Sequence, residues 1–178
     1  MSAIMTHRKI MFDPFRPKTG DIHIDDIAHA LSLLCRANGH FPHFYSVGQH
    51  SLLCMREAAA RGCSRRVQLG CLLHDASEAY LSDVTRPVKP LLPAYLEVEK
   101  TLQGLIFDKW ITPTLTEEED ALIREIDDAI LHYEFLTMMG YPIYDPAPTL
   151  ASEPSFDFVM FEEMEQAFLR AFEILTDE

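Results

Sequence analysis

An all-α fold is predicted for this chain by three features of its sequence. Apolar residues recur at three- and four-residue spacing, as in Ile24, Ile27, Leu31 and Leu34, which is the period of one helix face. Two segments, Ser46-Val47-Gly48-Gln49 and Thr116-Glu117-Glu118-Glu119, have the form of capping boxes that open helices. No strand-period run and no hairpin turn of any length stands out.

The elements follow in order. Residues 1–20 read as an extended lead-in, because Pro14 and Pro17 forbid a regular helix. The first helix follows Asp21 and is expected to stop near Asn38-Gly39. The second opens at the Ser46 box and runs to about Arg61, with Gly62 as its stop. Ser64 caps a third, expected to pass through Val67, Cys71 and His74 to about Tyr80. Pro87, Pro90 and Pro93 make a rigid loop, and a fourth helix covers Tyr95 to Trp110. The Thr116 box opens a long fifth helix that ends at Gly140, residues 141–155 form a loop, and a last helix runs from about Phe156 to Leu175. Roughly six helices in a single domain over 1–178 are therefore expected. The aromatic residues near the last helix, Phe156, Phe158, Phe161, Phe168 and Phe172, are expected to face the domain's own core rather than a partner.

Composition narrows the function. The chain has 178 residues and a net charge of −13, from 28 acidic and 15 basic residues. Such a surface repels polyanions, so duplex nucleic acid is an improbable partner. The apolar runs, LSLLC and LGCLL, fall far short of the roughly 20 residues that cross a bilayer. The opening residues lack a secretory signal, so a cytoplasmic location is expected. Cys35, Cys54, Cys63 and Cys71 have no C-x-x-C spacing and read as buried small residues or inert thiols.

Ionisable groups concentrate in CLLHDASEAYLSDVTRPVK, residues 71–89. His74 and Asp75 are adjacent on an expected helix and diverge by about 100°, yet both can converge on an ion lying over it. Glu78, four residues after His74, shares its face, and Asp83 follows the helix end. His50 lies in VGQHSLL among apolar residues, which suggests an inward position. Asp127 lies mid-helix beside Ile123, Ile126 and Ile130, and Asp128 is a competing choice that periodicity does not separate. Two imidazoles and two carboxylates on three helices thus make a candidate metal site. Mixed nitrogen and oxygen ligation suits Mn, Co, Fe or Zn better than Mg. An ion so held leaves the site near zero net charge, so a phosphate dianion would need further cations. Arg36, Arg86 and Lys89 are the natural suppliers, although Arg86 reads as merely exposed. Arg36 also fits a helix C-terminal residue favoured by the macrodipole, and Lys89 a solvated loop lysine. His40 and His43 read as loop histidines.

These motifs carry a resemblance. His50-Ser51-Leu52, His74-Asp75-Ala76-Ser77-Glu78, Asp83 nine residues after His74, and Pro87-Val88-Lys89 together resemble the HD-domain metal-dependent phosphohydrolases, an all-α family. The likeness is closest to bacterial 5′-deoxynucleotidases and related small nucleotide hydrolases, and it runs from about Arg36 to Glu134. It implies one divalent metal ion on His50, His74, Asp75 and Asp127. Asp127 is preferred to Asp128 because the following DAILHYE matches the family's spacing to a downstream glutamate. The resemblance also makes Glu78 and Asp83 catalytic, with Glu78 orienting or deprotonating water and Asp83 helping to position it or the leaving group. Arg36, fourteen residues before His50, and Lys89 become substrate-phosphate contacts. The expected activity is release of phosphate from deoxynucleoside 5′-monophosphates. The alternatives are a deoxynucleoside triphosphate triphosphohydrolase on the same metal core and a non-catalytic regulatory protein of the same fold. A homodimer is suggested by the family alone. The interval between Asp75 and Asp127 contains no histidine, which argues for one metal and against oxygen chemistry. Ala37 and Gln49 depart from the tryptophan and glutamate common in the deoxynucleotidases, at positions expected to border the sugar and base.

Overall fold

Helices α1 (Ile24–Leu33), α2 (Val47–Ala60), α3 (Arg65–Leu73), α4 (Glu78–Leu81), α5 (Pro93–Trp110), α6 (Glu117–Met139) and α7 (Phe161–Thr176) carry the fold in a computed structural model that describes residues 3–177. The architecture is all-α, as predicted. Among the described residues no helix is long and apolar enough to cross a membrane.

One of the two expected capping boxes forms in full and the other by half. At α6 the Thr116 side chain accepts from Glu119 N, and the Glu119 side chain accepts from Thr116 N. At α2 Ser46 accepts from Gln49 N, but the reciprocal half is missing because Gln49 Nε2 donates to the Asp157 carbonyl at 2.9 Å. Gly140 closes α6 in the left-handed conformation, with φ of 67°.

Four boundaries differ from expectation, each for a local reason. The lead-in contains a short antiparallel hairpin, β1 (Ile4–Met5) with β2 (Met11–Phe12). Two-residue strands show no period, and Lys9 takes the left-handed position in its turn (φ 64°), where glycine or asparagine would have signalled one. Phe12 is fully buried and stacks on Tyr80 at 4.2 Å, fastening the hairpin to α4.

Helix α1 ends at Leu33 rather than near Asn38-Gly39. Val47 N donates to Leu34 O and Arg36 N to Tyr45 O, both at 2.9 Å, so residues 34–36 are drawn out beside the start of α2. A tight turn over Arg36–Gly39 then carries Ala37 and Asn38 at φ of 51°. For non-glycine residues this is a strained conformation.

The expected third helix is interrupted after Leu73. In a continuous helix Ser77 N would donate to Leu73 O. Here the Gln103 side chain of α5 is inserted between them, donating to Leu73 O at 2.8 Å and accepting from Ser77 N at 3.1 Å. A polar side chain inserted into the ladder breaks the helix, and His74-Asp75-Ala76-Ser77 become a turn.

Helix α7 begins at Phe161, not Phe156. His43 Nε2 donates to the Phe156 carbonyl at 2.8 Å and Gln49 takes the Asp157 carbonyl, so this segment is held extended. Phe156 is buried in one apolar cluster with Tyr45, while Phe168 and Phe172 are buried in the other, with Phe172 edge-on to Trp110. Phe158 and Phe161 remain exposed.

Two apolar clusters divide the interior. One gathers Phe12, Ile27, Leu31, Leu72, Leu102, Ile106 and Phe168. The other gathers Phe41, Tyr45, Cys54, Cys71, Ile126, Ile130 and Phe156. Helices α2 and α3 contribute to both. Gly70 lets the Ile123 side chain of α6 pack against α3, because a Cβ there would collide with Ile123 Cδ1. That contact lies one turn before His74 on α3 and one turn before Asp127 on α6.

Candidate metal centre

His50 enters from the opening turn of α2 and is fully buried. His74 closes α3, Asp75 opens the turn that Gln103 creates, and Asp127 descends from the middle of α6. These four side chains, from three separate stretches of sequence, approach one another. His50 Nε2 lies 3.2 Å from His74 Nε2 and 3.0 Å from Asp127 Oδ1. Asp75 Oδ2 lies 3.3 Å from His74 Nε2 and 3.8 Å from His50 Nε2, and His74 Nε2 lies 3.8 Å from Asp127 Oδ1.

Those separations have the size that one ion would set. Donors bonded at about 2.1 Å stand about 3.0 Å apart at right angles and about 3.4 Å apart in a tetrahedron. The outer edge of each imidazole is also committed. His50 Nδ1 donates to Glu134 Oε1 at 2.6 Å and His74 Nδ1 donates to the Cys71 carbonyl at 2.8 Å. With the protons placed there, each Nε2 turns a lone pair toward the common point. Glu134 is itself held by the Tyr45 hydroxyl at 2.8 Å and ion-paired with Arg36 Nε at 3.3 Å.

The electrostatics call for positive charge. Burial pushes the His74 imidazole down, but Asp75 and Asp127 outweigh burial and hold its pKa well above the ordinary value. Burial likewise raises Asp75 and Asp127, and the two imidazoles overcome it and hold both carboxyls below the usual range. A site that draws protons onto its histidines in this way is one that a divalent cation satisfies better.

A donor missed in the sequence stands in the same group. Cys54 is buried, and its Sγ lies 3.5 Å from His50 Nε2. Donor atoms of His50, Cys54, His74 and Asp127 all lie within 4.8 Å of one another, so this buried group can hold a metal ion. Its signal was the four-residue step from His50 to Cys54 on one helix face, rather than any Cys-Cys spacing. Among the described residues all four cysteines are free.

The site opens into a cleft of about 530 Å³ lined by Arg36, Asp75, Glu78, Asp83, Arg86, Lys89 and Asp127 on its charged side. Glu78 is buried, and its Oε2 has no hydrogen-bond partner among the described residues. Burial, then Asp75 and Asp83, raise its carboxyl well above the usual value despite the nearby Lys89. Burial also raises Asp83, against the pull of Arg36. Lys89 reaches the cleft, but its ammonium is already engaged by Glu78 at 3.2 Å and Glu99 at 2.7 Å. Arg36 leans on Asp75 at 3.3 Å.

Arg86 is more than an exposed side chain. It donates to Asp127 Oδ2 at 3.1 Å and to Asp128 Oδ1 at 2.6 Å, and Tyr144 donates to the same Asp128 oxygen at 2.8 Å. The two neighbouring aspartates share Arg86, but Asp127 also turns its Oδ1 to the imidazoles. Ala37 borders the cleft as expected. Gln49 does not, since it is buried and spent on the Asp157 carbonyl. His43 is a structural tie to Phe156, and His40 is exposed away from the cleft lining.

No family model matches the chain. It is similar to YfdR of Escherichia coli (strain K12), with 42% identity over 113 residues, covering 64% of this chain and 61% of that protein. It is also similar to RCAP_rcc00048 of Rhodobacter capsulatus, with 38% identity over 109 residues, covering 58% of this chain and 55% of that protein. The chain thus spans less than two thirds of the length of each relative. Both relatives are described as uncharacterized proteins, so they carry no activity to transfer.

Proposed function

We propose that the chain is an HD-type, metal-dependent phosphohydrolase that releases phosphate from deoxynucleoside 5′-monophosphates. The observation that carries this reading is the two-part lining of the cleft. Asp127, Leu131 and Phe135 all line it and follow one another at four-residue steps on α6. At 1.5 Å per residue the wall therefore runs about 12 Å from the ion-binding carboxylate to an aromatic ring. Phe41, Ile143 and Tyr144 complete the apolar side. A ligand with phosphate at one end and a flat ring at the other matches such a cleft, whose size lies within the roughly 300–1,000 Å³ of small-ligand sites.

Charge supports the same ligand. The cleft is lined by four carboxylates, Asp75, Glu78, Asp83 and Asp127, against three cations, Arg36, Arg86 and Lys89. A divalent ion on His50, His74, Asp75 and Asp127 would turn that lining positive, polarise a phosphoryl oxygen and lower the pKa of a bound water. Arg36 spends two guanidinium N–H groups on Asp75 and Glu134 and has others for a phosphate oxygen. Glu78, buried in the cleft wall beside Asp75 and Asp83, is the candidate to activate the attacking water or to protonate the leaving oxygen. Asp83, less buried, positions the attacking water. Lys89 holds Glu78 in place and is not a free phosphate contact.

Phosphorus NMR of the products from mono-, di- and triphosphates, each with Mn, Co, Zn and Mg, tests the reading. Orthophosphate from monophosphates, abolished by His74→Ala, is the expected result. Release of intact triphosphate would replace the monophosphatase by the triphosphohydrolase, and no product with any metal would leave only a binding protein.

A further inference from the structure

We infer that Cys54 is a thiolate donor to the same ion, biasing the centre toward thiophilic metals such as zinc and cobalt(II) over manganese and magnesium. The inference rests on the metal-site reading above and deepens it.

Helical spacing and geometry carry it. Cys54 follows His50 by four residues on α2, so both side chains leave the same face. The Sγ–Nε2 separation is 3.5 Å. Bonds of about 2.3 Å to sulfur and about 2.1 Å to nitrogen would then subtend about 105° at the ion.

Burial adds a second observation. Cys54 is 1% exposed, and the imidazole edge is its sole polar contact among the described residues. Cys35, Cys63 and Cys71 are not part of the donor group.

Charge balance is consistent. On binding, the thiol gives up its proton to solvent as the sulfur–metal bond forms. In the group His50, Cys54, His74 and Asp127 this makes two negative donors, which a divalent ion neutralises, while Asp75 lies outside that group and is paired with Arg36 at 3.3 Å. Soft thiolate ligation favours zinc and cobalt over hard, oxygen-seeking ions.

Cobalt(II) loading of the whole chain tests the inference without reference to turnover. The wild type should show both d–d bands and a near-ultraviolet sulfur-to-cobalt charge-transfer band. Cys54→Ala and Cys54→Ser should keep the d–d bands and lose the charge-transfer band. Zinc affinity should fall about 10- to 100-fold in Cys54→Ala, while manganese affinity moves by less than about 3-fold. Cobalt bound by the wild type without a charge-transfer band, or a band that survives in Cys54→Ala, overturns the role of Cys54 and leaves the metal site standing. Failure of the wild type to take up cobalt overturns both.

Discussion

His50 Nδ1 lies 2.6 Å from Glu134 Oε1, a contact across 84 residues that joins α2 to α6 inside the protein. It fixes both the tautomer and the tilt of the ring. Glu134→Gln should therefore weaken metal binding by about 10- to 100-fold while every direct donor remains. Competition against a chromogenic chelator measures this, and unchanged affinity would reduce Glu134 to a structural group.

The neighbouring aspartates of α6 make a sharper comparison. Asp127→Asn removes a donor oxygen 3.0 Å from His50 Nε2 and should cost at least about 10-fold in metal affinity. Asp128→Asn disturbs only Arg86 and Tyr144 and should stay within about 3-fold of wild type. The reverse order would transfer the ligand to Asp128.

Glu78→Gln preserves size and removes the ionisable carboxyl group. Turnover should drop by about 10²- to 10⁴-fold, the usual worth of a positioned acid or base, with metal stoichiometry intact. Near-wild-type kcat in a metal-loaded variant would remove Glu78 from the chemistry.

Stability should report a second buried carboxylate, Glu57 of α2. It accepts from Arg61 Nε at 2.7 Å, from Ala151 N and Ser152 N at 2.9 Å each, and from Ser152 Oγ at 2.6 Å. Burial pushes its carboxyl up, but the Ser152 and Arg61 hydrogen bonds with the two backbone bonds prevail and hold it below the ordinary value. A depressed folded-state pKa contributes stability that is present above the unfolded value. That contribution is lost as pH falls through the folded one. Glu57→Gln should lower stability by roughly 1–3 kcal/mol at pH 7, and the penalty should shrink below about pH 4. Urea denaturation at both pH values checks the sign, and a penalty that grows on acidification would contradict it.

Elements governed by local chemistry were legible in the sequence. The α6 box at Thr116 and the stop at Gly140 need only neighbours in the chain, and so does the Ser64 cap of α3, where Ser64 Oγ accepts from Val67 N. The departures come from contacts distant in sequence. CLLHDASEAY fits a helical pattern throughout, and only Gln103, 26 residues beyond Ser77, breaks it. Phe156 fits an amphipathic helix until His43 claims its carbonyl from 113 residues away. At the candidate site, the convergence of His50, His74, Asp75 and Asp127 was legible because their motif spacing is distinctive. Cys54 and Arg86 were not, since a thiol beside leucines looks like core and an arginine before proline looks like surface.

The central claim is that these side chains form one cation site. Calorimetric titration of the metal-stripped chain with cobalt(II) tests it most directly. One ion per chain with proton release, abolished in His74→Ala, is the result expected. Absent binding, or uptake that His74→Ala leaves undiminished, would contradict the account.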